Sequence, residues 1–260
     1  MTAILLNESK GYQRSSLVLT GVFAMLAAVF LAVFPAMKDE ADAIEAAYPD
    51  YMLELMGLEE LSTIEGFAGG YVYPFVWILF AGMYFGYAGA GTVADDVRTR
   101  KMDLTLSYPV SRESVIVQKV AALWVPMAAL NVGMLAVMAG GARLVGESFD
   151  PVALAMVHLL GVPYLLVCAG IGVVLSVGTD RPGRARTGAL GLVFLLWLLD
   201  GLAALEPDYE WIAELTPSHY YDPTAILLHE EYAFLDAAVS LGAFLVLLVV
   251  ATTVFVRRDI

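Results

Sequence analysis

One cysteine, Cys168, stands among 260 residues. No disulfide can form within such a chain, and a thiol inside an apolar run is expected to pack as a small hydrophobe. Histidine is nearly as rare, at three. His219 and His229 share one loop but lie ten residues apart without a cysteine partner, a spacing that suits no metal site. The signatures H-E-x-x-H and G-x-S-x-G are both missing, which excludes the hydrolytic chemistry they carry. Two glycine patterns stop short of a nucleotide site. Gly89, Gly91 and Ala94 spell G-x-G-x-x-A, but at the end of an apolar run rather than after a short strand, so close helix approach is their expected use. Residues 141–148 resemble a phosphate loop in which Glu147 replaces the essential lysine. No catalytic residue, cofactor site or metal site is therefore expected in the chain. Basic residues are outnumbered 27 to 14, for a net charge of −13, and nucleic acid is not an expected partner.

What the chain has in excess is apolar length. Hydrophobic residues make up 60% of it and its mean hydropathy is +0.74, values that exclude an ordinary soluble domain. Six runs, at residues 16–37, 70–93, 120–142, 152–178, 188–205 and 235–256, approach or exceed the length a helix needs to span a bilayer. That length is about 20 residues for a hydrocarbon core of ~30 Å. Internal Gly133, Pro163, Gly170 and Gly172 are tolerated in membrane helices, and no strand-like alternation points to a barrel. Lys10 and Arg14 precede a first run too long for a cleavable signal core, so it is expected to be a retained span. The expected fold is all-α: a polytopic membrane protein of six transmembrane helices in a single domain, 1–260.

Charge orients those helices. Twelve of the fourteen bases lie in the amino-terminal segment, the second and fourth connections and the carboxyl-terminal segment; only Lys38 and Arg143 fall on the other side. Short cytoplasmic loops collect Lys and Arg, so both termini are expected in the cytoplasm of a multi-pass cell-membrane protein. The outer segments then hold nineteen acids against two bases. Such a surface is expected to be a solubilising one, as in a halophile, rather than a funnel for cations. The first outer connection, 38–69, spaces Leu53, Met56, Leu58 and Leu61 at roughly helical intervals, with Pro49 interrupting its start and Gly57 marking a helix end, which predicts one or two short amphipathic helices. Tyr209, Trp211, Tyr220, Tyr221 and Tyr232 in the last outer connection are expected in the interfacial aromatic belt. Asp200 is the one acid within a span, near its outer end, and is a candidate intramembrane polar site.

The segment 95–119, DDVRTRKMDLTLSYPVSRESVIVQK, concentrates five bases between two spans. Asp95 and Asp96 are placed to cap a short helix starting at Val97, Pro109 forces a break, and Ser111 with Ser114 opens a second helix from Glu113. The expected product is a helix–break–helix projecting from the membrane.

Leu104, Leu106, Ser107, Tyr108, Pro109, Val110, Ser111, Arg112 and Lys119 resemble the cytoplasmic signature of type-2 ABC transporter permeases, in which an apolar turn, Pro-Val-Ser-Arg and a later Lys recur. TPSHYYDPTAIL, residues 216–227, and FVRRDI, residues 255–260, are similar to the family's closing pattern, so the resemblance covers nearly the whole chain. One departure stands out. The family carries Glu then Gly-Thr-Leu ahead of the turn, whereas here Asp95 and Asp96 supply the acid and Arg100-Lys101-Met102-Asp103-Leu104 falls where the glycine would be.

The resemblance implies a permease subunit of an ATP-driven ABC transporter, an exporter by expectation, paired with a second permease copy or homologue and with a separate ATPase. ATP and Mg would sit on that ATPase. Residues 95–119 would form its coupling helix, with Asp95, Asp96, Arg98, Arg100, Arg112 and Glu113 as polar contacts. Leu104, Ser107, Pro109 and Ser111 would shape the turn that fills an apolar pocket. Small-residue faces, Gly82, Gly86, Ala90, Gly133 and Gly140, would pack helices or the dimer. The alternatives are a secondary transporter or channel, which calls for more midplane polar residues than this chain has, and a membrane assembly subunit without a transport path.

Overall fold

The computed structural model describes residues 2–47, 60–203, 205 and 207–258. Among them are six helices long and apolar enough to cross a membrane. These are α1 (Ala3–Ala47), α2 (Ile64–Arg98), α4 (Arg112–Leu144), α5 (Pro151–Val177), α6 (Pro182–Ala203) and α9 (Phe234–Arg257). Short helices α3 (Lys101–Leu106), α7 (Glu210–Ala213) and α8 (Pro223–Leu228) lie in the connections, and the described residues contain no strand.

Each apolar run coincides with one of the long helices, which mostly outrun it where polar helix formers continue the turn. α1 starts at Ala3 and ends at Ala47 because the Lys, Glu, Asp and Ala residues after Met37 keep backbone geometry helical outside the apolar stretch. The first outer connection therefore begins as part of α1. Its expected amphipathic helices, with Leu53, Met56, Gly57 and Leu58, fall on residues outside the described ones; Leu61 is buried beside Ala41. α2 opens on Thr63, whose hydroxyl accepts the Gly66 N–H at 3.1 Å. α5 and α8 each open on Asp-Pro. Asp150 accepts the N–H groups of Val152 and Ala153, and Asp222 those of Thr224 and Ala225, while the proline sits where no amide donor is needed.

α2 is not uniformly wound. Between Ala68 and Ala81, around Pro74, its hydrogen bonds reach one residue further than in an α-helix. Proline removes a donor and crowds the carbonyl four residues back, and the wider winding relieves both. Within this stretch Tyr73, Val76 and Trp77 are fully enclosed.

α2 and α5 form the interior, and α1, α6 and α9 present most of their apolar surface outward, as lipid-facing helices do. The two inner helices meet without side chains between them. A methyl group added at Gly89 would land on the Ala169 carbonyl, and one at Gly172 on the Gly86 carbonyl. At Gly82 it would meet the Tyr164 hydroxyl at 2.5 Å, and that hydroxyl donates to the Ile78 carbonyl at 2.8 Å. Gly133 admits Thr20 of α1 in the same way, whereas Gly140 faces open space. The small residues on α2 thus pack helices within one chain. Tyr221 corrects the aromatic-belt expectation: it is buried, stacks on Tyr164 and donates to the Val157 carbonyl at 2.8 Å, so it belongs to the core. Tyr209 and Trp211 are exposed, as a belt requires.

Replacing Gly89 by Val should lower the thermal midpoint of the detergent-solubilised protein or prevent its accumulation, since overpacking costs about 1–3 kcal/mol. Gly140→Ala should leave the midpoint unchanged; equal effects of the two would refute the close α2–α5 seam.

Candidate functional site

The segment 95–119 gathers with both chain ends at one end of the bundle. α2 is interrupted at Thr92–Val93, where Ser176 at the foot of α5 accepts the N–H groups of Val93 and Ala94 at 3.0 and 2.9 Å. The short stretch Ala94–Arg98 comes next, with no side-chain cap. Asp95 and Asp96 therefore do not cap a helix at Val97. The Ser176 hydroxyl already holds the two amides, which frees both carboxylates for ion pairs.

Those pairs bind the Ala94–Arg98 stretch, directly or through Lys119, to three other helices. Asp95 meets Arg186 of α6 at 2.5 Å, and the Arg186 guanidinium lies over the Tyr87 ring at 4.5 Å. Asp96 meets Lys119 of α4 at 2.6 Å, and Lys119 also meets Glu8 of α1 at 2.9 Å. Lys119 is 3% exposed and Asp96 8%, so this is a buried ion pair and not a surface one. The Gln118 side chain accepts the Leu5 N–H at 3.3 Å, a second tie to α1.

Beyond Arg98 the chain turns through Arg100, whose φ of 58° is the left-handed region that favours glycine. A glycine would be at ease here, and arginine adopts the conformation at a cost of about 1–2 kcal/mol. α3 then runs to Leu106, with Met102 as its anchor in the core. Then comes the break. Ser107, Tyr108, Pro109 and Val110 are exposed, with Leu104 and Tyr108 each 69% open. Ser111 caps α4, accepting the Ser114 N–H at 3.2 Å, as its sequence position implied.

Arg112 points back into the subunit. Its guanidinium donates to the Phe255 carbonyl at 3.2 Å and to the Arg258 carbonyl, and it lies 5.8 Å over the Phe255 ring. The last carbonyls of a helix lack their full set of intrahelical donors, the Phe255 carbonyl here accepting, among the described backbone amides, only the Arg258 N–H at 3.3 Å. A cation there also complements the helix dipole. Arg258 in turn donates to the Val177 carbonyl at 2.8 Å and pairs with Asp180.

The candidate residues thus divide into two sets. Asp95, Asp96 and Arg112 are held inside the subunit. Arg98, Arg100, Leu104, Ser107, Pro109, Ser111 and Glu113 remain on the surface. A cleft of about 530 Å³ runs between the turn and α1, with Ile4 and Asn7 on one wall and Leu104, Tyr108 and Val110 on the other. Arg186, Ser176 and Glu8 were not legible as site residues, because their partners come from helices far away in sequence; Lys119 was read as part of the signature but not as the partner of Asp96. Asp200 stands apart at the opposite end, where its carboxylate accepts the Thr216 hydroxyl at 2.9 Å.

The described residues thus form a bundle of six membrane-length helices with an apolar turn raised on an ion-paired base. The profile of the ABC-2 family transporter proteins matches residues 2–260, and the chain belongs to that family. It is a membrane permease of an ABC transporter. No individual curated protein matches the chain.

Lys119→Met leaves Asp96 buried without its cation, and breaking a buried pair costs about 3–5 kcal/mol. The variant should unfold well below the parent on heating, and Asp96→Asn added to Lys119→Met should recover part of the loss. Strict additivity of the two substitutions would show that the pair is not coupled.

Proposed function

We propose that this permease is driven by a separate ATPase subunit that grips the turn at residues 104–110. The observation that carries the reading is the exposure of Leu104, Tyr108 and Val110 at one end of the bundle, above charges already paired within the subunit. An apolar turn in water needs a partner, whereas the paired base below it needs none. Arg98, Arg100, Lys101 and Glu113, beside the turn, supply the polar rim of the interface. The ion pairs of Asp95 and Asp96 and the Arg112 bonds to α9 serve a second purpose: they make the turn a handle rigidly attached to α1, α2, α4, α6 and α9. A push on the turn then moves helices rather than bending a loop.

The excess of bases at this end supports a cytoplasmic placement for it and for both termini in the cell membrane. Two permease copies with two ATPases, working in export, complete the reading. ATP and Mg are bound by the ATPase.

Leu104→Asp combined with Tyr108→Asp should abolish co-purification of the ATPase and its ATP-driven transport. Both side chains are exposed, so the thermal midpoint of the permease alone should not change. Arg112→Glu should by contrast destabilise the end of α9 along with docking. Retained co-purification in the turn variant would sink the proposal.

A further inference from the structure

We propose that the groove between α4 and α5 binds one acyl-ester lipid, its chain along the groove and its ester carbonyl accepting a hydrogen bond from His158. The groove holds about 420 Å³ and opens sideways, at the level of the apolar spans; Trp124, Met127, Leu135, Leu159 and Val162 line it together with Asn131 and His158. That volume falls in the range of small-ligand sites, roughly 300–1,000 Å³. No charged side chain borders it, so a phosphate or a carboxylate has no counter-ion there.

His158 supplies the specific contact. It is only 4% exposed, and its Nδ1 has no hydrogen-bond partner among the described residues. Nε2 lies 3.3 Å from the Tyr73 hydroxyl, which is fully buried. If Tyr73 donates to Nε2, the phenol proton is satisfied and neutral imidazole must carry its own proton on Nδ1. The opposite arrangement would strand both the phenol proton and the Nδ1 lone pair, so the first is favoured. Trp77, edge-on to the imidazole at 4.8 Å between ring centres, leaves a second buried N–H unpartnered. The one amide side chain in the lining, Asn131, donates to the Met127 carbonyl of its own helix at 2.8 Å. Trp77 lies behind the lining, so the orphaned donor among the lining residues is His158 Nδ1–H, and it asks for an uncharged acceptor. In a bilayer, the acceptor that arrives attached to an apolar chain is an ester carbonyl. A buried donor in lipid without a partner is costly, which is the reason for a polar group to be placed there at all.

The test uses the full chain in phosphatidylcholine nanodiscs containing a phosphatidylcholine with a photoreactive acyl chain, with the labelled peptides mapped by mass spectrometry. Label should concentrate on residues 124–135 and 155–162 relative to the exposed faces of α1 and α6. It should fall several-fold there in His158→Phe, which keeps a ring but removes both nitrogens. Val132→Trp, at a position 67% exposed on the groove wall, should block labelling while leaving His158 in place, and it carries the test if His158→Phe does not fold. Unlabelled ester lipid should compete better than its ether analogue, which lacks the carbonyl. Label spread evenly over all lipid-facing helices would overturn the proposal, as would equal competition by ester and ether. So would a disulfide between two copies of a Leu159→Cys variant, since a second copy would then cover the groove.

Discussion

The contact on which the rest of this molecule depends is the approach of two backbones, α2 and α5, at Gly86, Gly89 and Gly172. In lipid, apolar side chains gain nothing by leaving lipid tails for one another's company, so helices associate through close van der Waals fit and shared hydrogen bonds. The glycines supply that fit. Because the two inner helices are locked, Ser176 at the end of one can reach the amides of Val93 and Ala94 at the end of the other. The break in α2 is therefore a joint held from outside, and the chain beyond it can leave the membrane at a defined angle.

From that joint outward the structure changes its means of attachment. Inside the bilayer it is shape; at the terminal end it is charge, with Asp95, Asp96, Glu8, Lys119 and Arg186 joining α1, α2, α4 and α6. Isolated surface pairs contribute little to stability. The buried Asp96–Lys119 pair is no such surface pair, and the set also contributes direction, because each pair ties the base of the turn to a different helix. The proposed route of force from an ATPase into the bundle is thus a set of short, partly or fully buried links rather than one long lever.

The six spans were legible because apolar length has a single meaning at this scale, and every run found its helix. The cap at Ser111 and the break at Pro109 were legible because local chemistry decides them. Asp95 and Asp96 look like caps in the sequence for the opposite reason: their partners, Arg186 and Lys119, lie in helices that only the fold brings near. Tyr221 looks interfacial because its sequence neighbours are, although a core carbonyl on α5 accepts its hydroxyl proton. His158 carried no sequence signal, as a lone histidine in an apolar run looks the same whether or not a tyrosine waits beside it. Arg100 is the instructive middle case. The departure from glycine was visible in the sequence, and the left-handed backbone explains why glycine would be natural there.

The Arg112 bond to the end of α9 has a consequence in time. Its two ends are separated by 146 positions along the chain. During synthesis the turn beside Arg112 emerges early, with its guanidinium unsatisfied, and stays so until four further spans have been made and inserted. A half-made permease therefore carries an incompletely seated handle. The geometry at the base of the turn is complete only once α9 is in place, so the same bond ties the first half of the bundle to the last.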